Sequence, residues 1–377
     1  MRILIKGAGL TGCTIARLLK DDGHDVFIIE KESEIGGLCA TETIDGLYHD
    51  KYGPHYFRSD DDDVIKFARR FLKLNNNSHY VGSYINGKLM DWPISHDCIN
   101  YLKGIFGDGI TRSGDYPNVA NFEEGAINCF GPILYELFVK HYTENMWHRD
   151  PKELSTKMSP RIFHINDNDK RYFRNSYQGY PDGGYTKALE KMIKGIKIFF
   201  NKGIVMPSIY EDLTIDCSPI DEVYSCMYGS LDYVGMIFKN EILTTKKEIE
   251  KIPSEWYRYS CINFPNCEFD YIRSTVHKNM TRQVHPHEAI SYEQPSLSAI
   301  KTHPVINRKN ELLIDKYLLV AATQPTVLPV GRMGLFKYLS MDTAIKIAMK
   351  VRDTATSWSS LHNYKRYEKL VDFRNTQ

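Results

Sequence analysis

The eight cysteines, at positions 13, 39, 98, 129, 217, 226, 261 and 267, include no CxxC pair, so a zinc site or a disulfide framework has little support. Reduced thiols in a cytosol are the expected state. Charge of one sign is not in excess either: 48 Lys and Arg stand against 47 Asp and Glu, a formal net charge of +1. That balance offers no electrostatic footprint for nucleic acid or an anionic membrane. No stretch approaches the roughly 18 apolar residues of a membrane span, and the opening MRILIKGAGL carries no long apolar leader. Internal repeats and low-complexity tracts are missing too. A cytoplasmic protein is expected, in which the sequons at Asn76 and Asn279 are chance matches.

What is present is ordinary in bulk: 377 residues, 42% apolar and 25% charged, enough for two or three packed units. The first 30 residues are more specific. Arg2 to Lys6 read as a buried strand, Gly7-Ala8-Gly9-Leu10-Thr11-Gly12 as a glycine turn, the following apolar-periodic stretch as a helix, and Asp25 to Ile29 as a second strand. Glu30 ends that strand, near the spacing of an acid that bonds a ribose. The glycines allow a tight turn, close approach of backbone to a pyrophosphate, and close packing of helix on strand. This order predicts a dinucleotide-binding fold.

Asp60 to Asp63 precede an apolar-faced helix and read as capping and dipole-complementing residues rather than metal ligands. Asn86-Gly87 between Tyr80 to Ile85 and Lys88 to Trp92 predicts a hairpin. Residues 94 to 150 lean helical, with Gly131-Pro132 at a helix start. Ile198 to Phe200, Glu222 to Tyr224, Tyr233 to Phe238, Ser260 to Phe264 and Tyr271 to Thr275 read as strands of an antiparallel sheet. Tyr317 to Ala321 and the Val330-Gly331-Arg332 turn then return the chain to an α/β ending, with a helix from about Asp342 to Val351. The stretch RYFRNSYQGYPDGGYT (171 to 186) combines flat tyrosine rings with arginine forks, which suit a nucleotide-like anion. Taken alone it reads more readily as an ordinary tyrosine-rich loop.

Six landmarks in order across the chain carry a resemblance: the 171 to 186 stretch, KYGPHYF (51 to 57), HYTENMW (141 to 147), SPID (218 to 221), YIRSTVHK (271 to 278) and GRMGLFKYLSM (331 to 341). They resemble the motifs of UDP-galactopyranose mutases, flavoenzymes that interconvert the six- and five-membered rings of galactose on UDP. The resemblance implies an α/β fold: a Rossmann-like FAD-binding domain (1–77 with about 203–222 and 318–377), an inserted helical domain (about 94–150), and an antiparallel β-sheet domain for substrate (about 78–93, 151–202 and 223–317). It implies FAD, active when reduced, with N5 of the flavin attacking the anomeric carbon to form a sugar adduct. Gly7, Gly9, Thr11, Gly12, Glu30 and Lys31 would bind it, with Gly36, Gly37 and Leu38 as a second glycine element. Ser218, Gly331, Arg332, Ser340 and Met341 would complete the cofactor set, and His55 would stand beside the isoalloxazine ring. A UDP-sugar is the implied partner, and a homodimer is left open.

By the same resemblance Phe138, Tyr142, Trp147, Tyr177 and Asn263 line the UDP site, so the tyrosine-rich stretch walls the nucleotide-sugar cleft. Arg273 and Tyr338 hold the diphosphate near the flavin; with His55 they are the catalytic candidates. The chain departs from the family at Ile165, where a mobile-loop arginine is usual, leaving Arg161, Lys170, Arg171 and Arg174 as substitutes. His303 falls where a tyrosine usually touches phosphate, Ser340 replaces an aspartate, and Arg58 stands where many galactose mutases have histidine. UDP-galactose is therefore the default substrate, with UDP-N-acetylgalactosamine and UDP-arabinopyranose as competitors. An amine-oxidase-like flavin oxidoreductase and a non-catalytic nucleotide-sugar binder are the alternative functions.

Overall fold

The computed structural model describes residues 1–110, 119–158, 169–200, 211–266 and 269–377. Arg161, Ile165, Cys267 and the 203–210 stretch lie outside them. The strands are β1 (Arg2–Lys6), β2 (Asp25–Glu30), β3 (Thr41–Ile44), β4 (Leu47–Asp50), β5 (Phe57–Ser59), β6 (Val81–Ile85), β7 (Lys88–Trp92) and β8 (Tyr177–Gly179). They continue as β9 (Lys197–Phe200), β10 (Leu213–Asp216), β11 (Tyr233–Leu243), β12 (Cys261–Asn263), β13 (Arg273–Val276), β14 (Glu288–Ser296), β15 (Lys301–Pro304) and β16 (Val327–Pro329). The main helices are α1 (Leu10–Asp21), α2 (Asp62–Ala68), α3 (His96–Phe106), α4 (Phe122–Leu134), α5 (His141–Trp147), α6 (Gly184–Met192), α7 (Arg308–Ala322), α8 (Met341–Ala355) and α9 (Asn363–Asn375).

A parallel sheet runs in the order β16-β10-β1-β2-β9. Ile3 and Ile5 on one face of β1 join a core with α1, α6, α7 and α8, while Leu4 faces the other way with Phe27 and Ile29. This alternation is the two-sided burial that parallel strands require. A seven-stranded sheet, β15-β11-β14-β13-β12-β6-β7, is antiparallel except where β12 runs parallel to β6. Its face carries Val81, Trp92, Val234 and Cys261 into a second core with Phe122, Phe130, Leu134 and Phe138 of the helical segment.

Local chemistry explains the elements. Asn86 (φ 48°) and Gly87 (φ 80°) turn the β6–β7 hairpin with two left-handed residues. Asp61 caps α2 by accepting from the Asp63 and Val64 amides. Gly131 (φ 73°) kinks α4 before Pro132, and the next turn, Tyr135–Lys140, is π-helical.

Two strand readings are corrected. Ile198–Phe200 pairs in parallel with β2, which takes it from the antiparallel sheet to the dinucleotide sheet. Glu222–Tyr224 falls on a helical turn, Ile220–Val223. Tyr317–Ala321 lies inside α7, whose Ile314, Tyr317, Leu318 and Ala321 are buried at helical spacing. Among the described residues no helix is long and apolar enough to cross a membrane.

Candidate functional site

The glycine turn after β1 forms a cradle with little room for side chains. Gly7 sits at φ 104°, and a Cβ on Gly12 would stand 2.0 Å from the Gly7 carbonyl oxygen. The second glycine element comes equally close: a Cβ on Gly37 would lie 3.0 Å from Gly9 Cα, and the Gly36 amide donates to the Ala8 carbonyl at 3.0 Å. Glu30, buried at the end of β2, accepts from the Ala8 amide at 2.6 Å. Gly9 caps α1 with no side-chain cap, and no acid occupies the first turn. The helix therefore presents free N–H groups and the positive end of its dipole to an anion. Gly331 (φ 78°) closes on this turn, since a Cβ there would stand 3.7 Å from Thr11 and Cys217.

The other cofactor candidates surround that turn less tightly. The Ser218 amide donates to Asp216, Ser340 precedes α8, and Met341 begins it. Leu38 is half-buried and Lys31 is exposed, 3.9 Å from Glu32.

His55 sits in a turn held from both sides. Its amide donates to Asp50 Oδ2 at 2.8 Å, its Nδ1 meets the Gly53 carbonyl at 2.9 Å, and its carbonyl accepts from the Tyr185 hydroxyl at 3.1 Å. Tyr180 donates to Asp50 Oδ1 at 2.5 Å. The Tyr185 amide donates to Thr41 Oγ1, and the Thr41 amide donates to Thr186 Oγ1. The tyrosine-rich stretch therefore braces the His55 turn through Tyr180 and Tyr185. Tyr180 and Tyr185 are fully buried, and Tyr177 packs its ring on Phe57 and beneath Arg69.

Arg273 occupies a middle strand, with Asn263 and Glu293 directly opposite it on β12 and β14. Its Nε donates to Asn263 Oδ1 at 3.1 Å, Nη1 to Glu293 Oε2 at 3.4 Å, and Nη2 to the Tyr142 hydroxyl at 2.7 Å. Burial pushes the Tyr142 hydroxyl up to about 12, against the pull of Arg273. Burial likewise raises the Glu293 carboxyl, and Arg273 opposes it. Glu293 Oε1 is buried and finds no hydrogen-bond partner among the described residues. It faces Gly53, where a Cβ would come within 3.2 Å of it and within 2.9 Å of the Phe238 ring. Only glycine lets the His55 turn approach this closely.

Tyr142, Trp147 and Phe238 pack together on Met146, Met236 and Ile272. Trp147 meets His303 edge-on (6.0 Å), His303 stacks on Tyr338 (5.8 Å, 12°), and Arg332 lies 4.5 Å over Tyr338. Arg332 is anchored to the Thr302 and Leu339 carbonyls. His303 Nδ1 and the Thr302 hydroxyl share a hydrogen bond at 2.7 Å, and the same hydroxyl lies 3.1 Å from the Val234 carbonyl. The contact chain thus runs from Arg273 to Tyr338 and, through Glu293 and Gly53, to His55. Phe138 does not join it: its ring is 3% exposed and stacks on Trp92 inside the helical core.

Arg58 donates to Asn175 Oδ1 and lies over Phe173. Of the substitutes for the absent clamp arginine, Lys170 is engaged by Asp91 and Asp97. Arg171 pairs with Asp169, which Arg174 also reaches at 3.7 Å; the Arg171 hydrogen bond and charge lower the Asp169 carboxyl to about 2. Two contributors went unread in the sequence: Asp50 and Glu293. The strand pairing that brings Glu293 to Arg273 leaves no local signal. A cavity of about 440 Å³ between α7 and α9, lined by Arg308, Asp315 and Arg374, is separate from this constellation.

Residues 5–71 match the NAD(P)-binding Rossmann-like domain, and residues 137–338 match the UDP-galactopyranose mutase family. A probable UDP-galactopyranose mutase of Klebsiella pneumoniae is 30% identical over 375 residues, covering 93% of this chain and 94% of the relative. A dTDP-fucopyranose mutase of Escherichia coli is 28% identical, covering 93% and 97%. The fold is similar to that of a reduced UDP-galactopyranose mutase crystal structure, with a TM-score of 0.73, 14% identity, and coverage of 100% of this chain and 99% of the other. The chain belongs to the UDP-galactopyranose mutase family, a family of isomerases.

Proposed function

We propose that the chain is a flavin-dependent mutase that interconverts the pyranose and furanose forms of a sugar carried on UDP, with UDP-galactopyranose as the first donor to test. The observation that carries the reading is the Arg273 guanidinium, bonded to Tyr142, Asn263 and Glu293 and linked through Gly53 to the His55 turn. The E. coli relative's name widens the panel to dTDP-sugars, beside UDP-N-acetylgalactosamine and UDP-arabinopyranose.

FAD fits the cradle. The glycines leave backbone, not side chain, at the N-terminus of α1, which suits a pyrophosphate, and the Glu30 carboxylate at the end of β2 suits a ribose hydroxyl. Gly9, Thr11, Gly12, Glu30, Gly36, Gly37, Ser218 and Gly331 would hold it, with Arg332 and Met341 at its border. Reduced FAD, when bound, supplies a nucleophilic ring nitrogen for the anomeric carbon, which permits ring opening and reclosure with no net oxidation.

The chain's own contribution is electrostatic and positional. Arg273 donates to the phosphate oxygens as charge gathers on the departing diphosphate, and its three existing bonds keep the fork aimed without reorganisation. Tyr338, set between Arg332 and His303, offers a hydroxyl to the same group. Tyr142 and Trp147 exclude water on one side. His55 presents its imidazole from the opposite turn.

The test is purified protein, with and without dithionite, incubated with the UDP- and dTDP-sugar panel and resolved by chromatography. Ring isomerisation confined to the reduced protein supports the reading. Net oxidation with oxygen consumption would make the chain an oxidoreductase, and tight binding without turnover of any donor would make it a binder.

A further inference from the structure

Asp50 is a fully buried carboxylate, and among the described residues no cation pairs with it. Its histidine neighbours His49 and His277 both have their pKa lowered by burial. An uncompensated buried acid is costly, so a fold that keeps one needs a reason. Its contacts supply the reason. Oδ2 accepts from the His55 amide, and Oδ1 accepts from Tyr180 at 2.5 Å and from Thr41 at 3.4 Å. Thr41 in turn receives the Tyr185 amide, while Gly184 lies so close that a Cβ would stand 2.4 Å from Thr41 Cγ2.

We propose that Asp50 is a positioning residue for the reaction: it ties the 51–55 turn to the Tyr180–Tyr185 segment, and so fixes His55, and Gly53 against Glu293 of the Arg273 pair. The proposal rests on the mutase reading only for its kinetic arm. The tie needs an acceptor for the His55 amide, not a charge. Asparagine supplies one: its oxygen accepts from His55 while its NH₂ donates to the Tyr180 and Thr41 hydroxyls, which can turn to accept. Leucine fills the space and supplies none.

The test compares wild type, Asp50→Asn, Asp50→Leu and Asp50→Ala as full chains, with Asp50→Ala deciding if the leucine variant does not fold. Amide hydrogen exchange at His55, read in cofactor-free and cofactor-loaded protein, reports the tie. Steady-state kinetics on the active donor reports its use. The expected result is loss of His55 protection in the leucine and alanine variants, with kcat down by about tenfold or more and KM within about twofold, and Asp50→Asn restoring both readouts to within about threefold. Retained protection and turnover in the variants lacking an acceptor overturns the proposal. So does an asparagine variant as slow as leucine with its His55 amide still protected, because the effect would then be one of charge. If wild type converts no donor, the mutase reading fails, and His55 exchange still decides the tie.

Discussion

Replacing Arg273 with alanine removes the donor fork but leaves the cradle glycines intact, so turnover should fall while flavin stays bound. Loss of a preorganised donor to developing charge costs about 10²–10³ in kcat, about 3–4 kcal/mol. Arg273→Lys keeps the charge without the fork and should recover only part of it. The stability effect has a definite pH dependence. Burial raises the Glu293 carboxyl above its unfolded value even with Arg273 beside it. The stability from this group is fully present below the unfolded pKa and is lost as pH rises through the folded one. Without Arg273 the folded pKa moves higher still. The deficit of Arg273→Ala relative to wild type should therefore grow by about 1.4 kcal/mol per pH unit between the two folded values and then level off. Thermal melts across that pH range, with kcat at saturating donor and the flavin-to-protein absorbance ratio, are the assays. An alanine variant within about threefold of wild-type kcat would remove Arg273 from the reaction. A deficit that shrinks as pH rises would refute the electrostatic account of the pair.

Three further outcomes are expected. Gly12→Ala forces a methyl onto the Gly7 carbonyl, an overpacking of about 1–3 kcal/mol or more, and should lower the flavin-to-protein ratio of purified protein; a normal ratio would contradict the tight cradle. His303→Ala breaks the stack between Trp147 and Tyr338; at about 0.5–1.5 kcal/mol per aromatic contact, KM for the donor should rise by about 2–10-fold with a smaller change in kcat. Burial raises Asp50 to about 7 from 3.8, so its stability contribution is complete below pH 3.8 and lost as pH rises through 7. Asp50→Asn should then be the more stable protein at pH 8, by up to about 4 kcal/mol, and gain little at pH 4, as read by melting temperature.

The dinucleotide half was legible because its signals are local: glycine spacing, a helix start with no side-chain cap, and an acid at a strand end all lie within residues 7 to 30. The hairpin at Asn86-Gly87 was legible for the same reason, since both residues had to adopt positive φ. Ile198–Phe200 was misassigned because nothing in four residues of strand names the partner, and β2 lies far back in the chain. Glu222–Tyr224 was misread because so short a run cannot distinguish a strand from a helical turn. In the site, Arg273 and His55 were found through motifs, whereas Asp50 and Glu293 acquire meaning only once Tyr180 and β13 are brought beside them.

The order β16-β10-β1-β2-β9 gathers segments that are synthesised at very different times. During translation β1 and β2 emerge first, but the inner edge of β1 has no neighbour until residue 213, and the outer edge of β10 has none until residue 327. Until then the nascent half-sheet offers bare backbone edges to other chains, and closing so long a loop is slow. A stop codon even slightly upstream of Val327 should therefore yield aggregated polypeptide rather than a smaller nucleotide-binding protein.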